Sequence, residues 1–187
     1  FLTGEKPLEV VADQSTYGHF HQIVDNVLCI ARYTGNIRSQ IWYSKSAIGH
    51  RNGLRVRVFG SQGSAEWFQM NPEELKYYDI YGRYEVLDRS GRTFIAGEPR
   101  YNRFKSGHPA GFIEAFANLY YDVADSLIQF KQYGSYGSPY VFDDELAKEG
   151  LEMLQAISTS ATNRAWEPVR SNLALARPVP YRTRVNM

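Results

Sequence analysis

The side chains best suited to chemistry fall in two short stretches of the sequence. One runs Trp42-Tyr43-Ser44-Lys45-Ser46-Ala47-Ile48-Gly49-His50-Arg51-Asn52-Gly53-Leu54 and gathers an indole, an ammonium, an imidazole and a carboxamide between two strand-like segments. The other, Ser106-Gly107-His108-Pro109-Ala110-Gly111-Phe112, opens a long helical pattern. That position puts His108 at the helix N-cap, beside free backbone N–H groups. Amide and imidazole groups exchange hydrogen bonds with hydroxyls, and an indole offers an apolar face. Trp42, Lys45, His50, Asn52 and His108 are therefore candidate contacts for a hydroxyl-rich substrate. The plainer alternative makes Asn52-Gly53 a turn and His108 a cap, and spacing alone favours it.

Other chemistries find little support. His19 and His21 are spaced i, i+2 and would need Asp25 to complete a metal site, so no metal is expected. No G-x-G-x-x-G follows a strand and no G-x-x-x-x-G-K-[ST] occurs, which leaves no recognisable phosphate cradle. No nucleophile-elbow sequence supports a Ser/His/Asp triad. The formal charge of +1 gives no basic face for nucleic acid. The single Cys29 excludes a disulfide within the chain and fits a reducing compartment. No apolar run approaches the roughly 18 residues of a membrane span, and no signal peptide is visible. A soluble, cytoplasmic protein is expected, with neither nucleic acid nor membrane among its partners.

The elements that must position these residues change period once along the chain. From Leu8 to about Ala96 the pattern is strand-like. Val24 to Tyr33 is nearly all apolar in its middle, as in a strand covered on both faces. Tyr33-Thr34-Gly35-Asn36 reads as a hairpin turn, after which Ile37, Ser39, Ile41 and Tyr43 alternate with Arg38, Gln40, Trp42 and Ser44. Leu54 to Phe59 alternates, and Gly60-Ser61-Gln62-Gly63 turns it into Ala65 to Gln69. Two weaker strands flank turns near Gly82 and Ser90-Gly91. Phe112, Phe116, Tyr120, Val123, Leu127 and Phe130 then recur at helical spacing, with Pro109 in the first turn and Gly134 past the end. Asp143-Asp144-Glu145 begins a second helix, with acid at its positive end and the stripe Leu146, Met153, Leu154, Ile157 and Ala161.

These 187 residues, 43% hydrophobic, predict one α+β domain: a broad, open-faced, mostly antiparallel or mixed sheet with helices packed on one face. Its other face would hold Arg38, Gln40, Arg55 and Arg57 beside large aromatics, a surface that calls for a covering partner. Phe1-Leu2-Thr3-Gly4 reads as the last turn of a helix, which implies a preceding domain. From Trp166 the chain turns rich in Arg and Pro, and an arm or loose tail is expected. The boundaries are residues 1–169 for the domain and 170–187 for the arm.

The stretch from Trp42 through Gly60-Ser61-Gln62-Gly63-Ser64-Ala65-Glu66-Trp67, followed by Gly107-His108-Pro109-Ala110-Gly111-Phe112-Ile113-Glu114-Ala115-Phe116-Ala117-Asn118-Leu119-Tyr120, resembles the C-terminal domain of the Gfo/Idh/MocA family. That family is named for glucose–fructose oxidoreductase and inositol dehydrogenase, and the likeness runs from Phe1 to about Val169. It implies an NAD(P)-dependent oxidoreductase acting on a sugar, polyol or derivative. The NAD or NADP would be held mainly by an N-terminal Rossmann domain outside this chain, and the open sheet would form a homodimer or homotetramer. The family's catalytic Lys lies in a Glu-Lys-Pro motif upstream of the sheet. Here Glu5-Lys6-Pro7 leads directly into the first strand, so Lys6 is read as a coincidence and the catalytic residues are expected outside this chain. Alone, the chain would then be inactive. The competing class is a freestanding, non-catalytic carbohydrate-binding or oligomerisation module.

Overall fold

The computed structural model describes residues 2–91, 98–136, 138 and 140–169. The chain divides into two compact units, Phe1–Ile48 with Phe142–Met187, and Gly49–Val141. The expected arm 170–187 lies outside the described residues.

The first unit is a four-stranded antiparallel sheet under one helix. Its strands β1 (Pro7–Ser15), β2 (Asn26–Tyr33) and β3 (Arg38–Ser44) pair in sequence, and β8 (Glu167–Pro168) adds to the far side of β1. The turn between β2 and β3 is a short 3-10 segment, Thr34–Asn36, with Gly35 at φ 62° and Asn36 at φ 59°. Such left-handed backbone favours Gly and Asn, which is why this tetrapeptide turns. The register sets Leu28 opposite Trp42, Ile30 opposite Gln40 and Arg32 opposite Arg38. Alternation then sends Val27, Cys29 and Ala31 to the other face, where Val10, Ala156 and Ile157 complete the buried core.

Ala156 and Ile157 belong to α2 (Asp144–Asn163). Its first turn is fixed by Asp143, whose carboxylate accepts from the Leu146 N–H at 2.9 Å, as the acidic run predicts. Near its other end, fully buried Ser160 replaces a missing strand. β8 covers only Glu9 and Val10, so the next outward-facing amide of β1, Ala12 N–H, would lack a partner. The Ser160 hydroxyl accepts from it at 3.0 Å and donates to the Ala165 carbonyl at 2.6 Å. One side chain thus joins the sheet edge, the helix and the chain leaving it.

The second unit holds a four-stranded antiparallel meander, β4 (Arg55–Gly60), β5 (Gly63–Phe68), β6 (Leu75–Asp79) and β7 (Tyr84–Leu87). At Gly63 a Cβ would lie 2.3 Å from the Tyr78 carbonyl oxygen, so only glycine lets β5 approach β6 there. Arg55, Arg57 and Phe59 share one face with Phe68, Glu66 and Tyr78, and Val56 and Val58 share the other with Trp67 and Tyr77. Helix α1 (Phe112–Tyr133) ends at Gly134 in the left-handed region, as expected.

Two expectations change. The α+β class and antiparallel pairing stand, but among the described residues the one broad sheet is two four-stranded sheets. The 45–54 connection carries left-handed Gly49 and Asn52 (φ 90° and 37°), and β3 pairs only with β2 while β4 pairs only with β5. His108 is also not the N-cap of α1. That position is Gly111, whose N–H donates to the Glu114 carboxylate at 2.8 Å. Helix geometry starts where Glu114 can reach back, three residues beyond His108 and two beyond Pro109.

Ser160→Ala leaves the part-buried Ala12 N–H and the Ala165 carbonyl without their hydroxyl partner. It should cost about 1–3 kcal/mol, read as a lower urea midpoint at unchanged slope; an unaltered midpoint contradicts this account of the β1 edge.

Candidate functional site

The five candidate residues divide between the two units. Trp42 and Lys45 belong to the first, at the end of the β2–β3 pair. Trp42 is a strand residue, more than half exposed, and its indole N–H donates to Asn26 Oδ1 at 2.9 Å. Lys45 follows β3, its backbone N–H donating to the Asp25 carbonyl at 2.7 Å.

Asp25 organises this end. Its carboxylate accepts from the backbone N–H groups of Tyr17 (3.0 Å) and Gly18 (2.6 Å) and from the Ser46 hydroxyl (3.2 Å). The Tyr17 hydrogen bond, followed by those of Gly18 and Ser46, holds the carboxyl below its ordinary value of 3.8 against some desolvation. This bears on the metal question. The carboxylate that His19 and His21 would need is committed to three N–H and O–H donors, and among the described residues no group of three or more His, Cys, Asp or Glu is gathered for an ion.

His50, Asn52 and His108 lie in the second unit, on two separate loops, and all three are exposed. Asn52 accepts through its carbonyl from the Leu54 N–H at 2.9 Å, a turn leading into β4. The turn reading of Asn52-Gly53 is therefore right as far as the backbone goes, and the side chain is left outward. His108 sits in a segment without helix or strand, residues 98–111. Its N–H donates to the Lys105 carbonyl at 3.0 Å, and its own carbonyl accepts from Arg89 Nη2 at 2.7 Å.

Four side chains that the sequence reading passed over, in two ion pairs, hold this second unit's loops. Arg89 donates through Nε to Glu73 at 2.5 Å, and the other Glu73 oxygen accepts from the Ala110 N–H at 3.0 Å. Arg100 pairs with buried Asp122 on α1, its guanidinium packed among the rings of Tyr101, Tyr121 and Tyr140 at 5.0–5.2 Å. Burial, and then the hydrogen bond it donates to Asp122, push the Tyr101 hydroxyl up to about 12. The letters gave no signal for these pairs, because each joins residues 16–22 positions apart in no periodic pattern.

Lys6 is ion-paired with Glu149 on α2, which gives it a structural partner within the first unit. Two open depressions, one at the β4–β5 turn (Phe59, Gly60, Ser64, Tyr78) and one beside the β2–β3 turn (Glu9, Arg32, Tyr33, Thr34), include none of the five candidates. Neither described helix offers a ready phosphate site at its N-terminus. A phosphate at a helix N-terminus needs free N–H groups and positive potential. Here the start of α1 is occupied by the Glu114 carboxylate and that of α2 carries Asp143, Asp144 and Glu145. No described helix is long and apolar enough to cross a membrane.

Residues 1–66 match the GFO/IDH/MocA C-terminal domain family. An uncharacterised oxidoreductase of Bacillus subtilis, YfiI, is 31% identical over 120 residues, which are 60% of this chain and 29% of that protein. An oxidoreductase from Sinorhizobium meliloti is 31% identical with a TM-score of 0.77, over 89% of this chain and 47% of that one. An inositol dehydrogenase homolog from Azotobacter vinelandii, solved with NAD+, shares the fold at 24% identity and a TM-score of 0.79, over 89% of this chain and 44% of that one. This chain thus spans under a third of the Bacillus protein and just under half of each solved structure.

Asp25 gives the site a pH signature. Its carboxyl is lower in the folded protein than unfolded, so its stabilisation is complete above the ordinary value near 4 and is lost as pH falls through the folded value. Asp25→Ala should melt below the wild type at neutral pH, and the gap should close as the buffer is taken through the acid range. A gap in melting temperature that does not change with pH rules out Asp25 as the clamp of this loop.

Proposed function

From the match of residues 1–66 to the GFO/IDH/MocA C-terminal domain family, we propose that this chain belongs to that family and is the substrate-side half of an NAD(P)-dependent dehydrogenase acting on a sugar, polyol or derivative. The observation that carries this reading is the shared fold over 89% of the chain, at 31% identity, with an oxidoreductase roughly twice as long. A neighbour solved with NADH and myo-inositol has the same fold at 23% identity, which supports the substrate class by analogy only.

The dinucleotide is assigned to an N-terminal Rossmann domain outside this chain, since both described helix N-termini are already filled by carboxylates. The general base that takes the hydroxyl proton is assigned there too. Residues 1–169 then orient the substrate. In the first unit the Lys45 ammonium donates to hydroxyl oxygens and the Trp42 indole covers an apolar face; in the second, taken by itself, the His108 and His50 imidazoles donate and the Asn52 carboxamide donates and accepts. Holding the reacting carbon in place is itself a large share of catalysis. The sheet faces bearing Arg38 and Gln40, and Arg55, Arg57 and Phe59, are assigned to a homodimer or homotetramer; Phe59, three-quarters exposed, is easier to place in a contact than in water.

The test uses the full-length protein and a panel of polyols and sugars with NAD+ and NADP+. Reduction of the dinucleotide by at least one alcohol is expected, and none across the panel counts against the reading. With capping excluded by geometry, His108→Ala should lower kcat/KM by roughly tenfold or more at an almost unchanged melting temperature. A value within twofold of wild type removes His108 from the site.

A further inference from the structure

We infer that Arg89 is the positioning residue for His108, and that with Glu73 it holds the Lys105–Ala110 segment in the arrangement that presents the imidazole to substrate. The inference rests on the reading of His108 as a substrate contact and extends it to the residues that place it.

Local sequence gives Arg89 no reason to be buried. It lies between Asp88 and Ser90 in a turn closed by the Asp88 carboxylate, which accepts from the Ser90 and Gly91 N–H groups. A cation at such a turn ordinarily points into water. Yet the Arg89 side chain is only 11% exposed, against 31% for its partner Glu73. The guanidinium is used on every side. Nε donates to Glu73, Nη1 to Asn102 Oδ1 at 3.3 Å and to the Phe104 carbonyl at 3.4 Å, and Nη2 to the His108 carbonyl at 2.7 Å.

Glu73 completes the grip. Its second oxygen accepts from the Ala110 N–H at 3.0 Å, so the ion pair holds the carbonyl before Pro109 and the N–H after it. Pro109 has no N–H of its own, so these two groups flank the one residue of the stretch that cannot donate. The His108 N–H is tied to Lys105, past a left-handed Gly107 at φ 90°. Both backbone groups of His108 are thereby fixed, while the residue remains exposed. A fixed backbone beneath an outward side chain is how a rigid scaffold presents a binding group from a loop.

Stability alone explains the pair poorly, because burying two charges returns little net free energy. A lysine would not substitute. One ammonium nitrogen cannot reach four acceptors lying in different directions, whereas a planar guanidinium can.

The test uses the full-length enzyme and the alcohol from the panel that it turns over fastest. Arg89→Met, Arg89→Lys, Glu73→Gln and His108→Ala are compared, together with the double variant of Arg89→Met and His108→Ala. In Arg89→Met the Ala110 amide should exchange with solvent at least tenfold faster, and kcat/KM should fall on the order of ten- to a hundredfold. Arg89→Lys should not rescue either reading. Glu73→Gln, which keeps the shape and removes the charge, should give a smaller change in the same direction and stands in where Arg89→Met fails to fold. The decisive comparison is the double variant. It should be no slower than His108→Ala alone, because Arg89 acts through His108. Additive losses overturn the inference, and so does unchanged Ala110 exchange in both Arg89→Met and Glu73→Gln. A His108→Ala enzyme with unchanged kcat/KM fails differently: it overturns the substrate role of this loop even where Ala110 exchange responds to Arg89.

Discussion

Residues 98–111 form neither helix nor strand, and a backbone so placed must find partners for its N–H and carbonyl groups outside the regular ladders. In the second unit those partners converge on one ion pair. Arg89 and Glu73 take the Phe104 and His108 carbonyls and the Ala110 N–H. The chain then meets Gly111, where the Glu114 carboxylate closes the first turn of α1. Without the pair, the run into α1 would have its Gly107 turn and its Pro109 but little to fix their direction. The first unit solves the same problem with a single carboxylate, Asp25, which fastens the 16–24 loop and the exit of β3 through three donors. The two loops proposed to carry substrate contacts in these units are thus each anchored by charged groups accepting or donating several hydrogen bonds at once, interactions stronger than neutral ones.

Much of this fold was legible in the letters. The apolar run in β2, the Thr34-Gly35-Asn36 turn and the alternation Arg38, Gln40, Trp42 place one sheet face correctly, because strand period and turn chemistry are local properties. Asp143 and Gly134 mark helix ends for the same reason. His108 fails as a cap because a capping assignment needs the exact register of the helix start, and that is fixed by Glu114 reaching Gly111. One broad sheet was expected where two are seen, since nothing local says which strand β3 or β4 declines to pair with. Arg89, Glu73, Arg100 and Asp122 were missed altogether. Each joins a polar residue to another far along the chain, and no period records such a match. The apolar stripe of α1 was read correctly as a pattern but not as a burial map. Phe112, Tyr120 and Leu127 are more than half exposed, while Asp122 and Ser126 are buried.

Those exposed aromatics and the bare faces of the meander belong with a chain that covers less than half of the oxidoreductases it matches. Sheet and loops supply hydroxyl-binding groups, and the helix ends supply carboxylates where a phosphate would need N–H groups. In the proposed reading the chemistry is divided: this chain orients the substrate, and a part of the protein outside it holds the dinucleotide. Calorimetric titration of NAD+ and NADP+ into the 187-residue chain and into the full-length protein tests that division directly. The account predicts saturable binding of at least one dinucleotide by the full-length protein and none by this chain. Micromolar binding by this chain alone would contradict it.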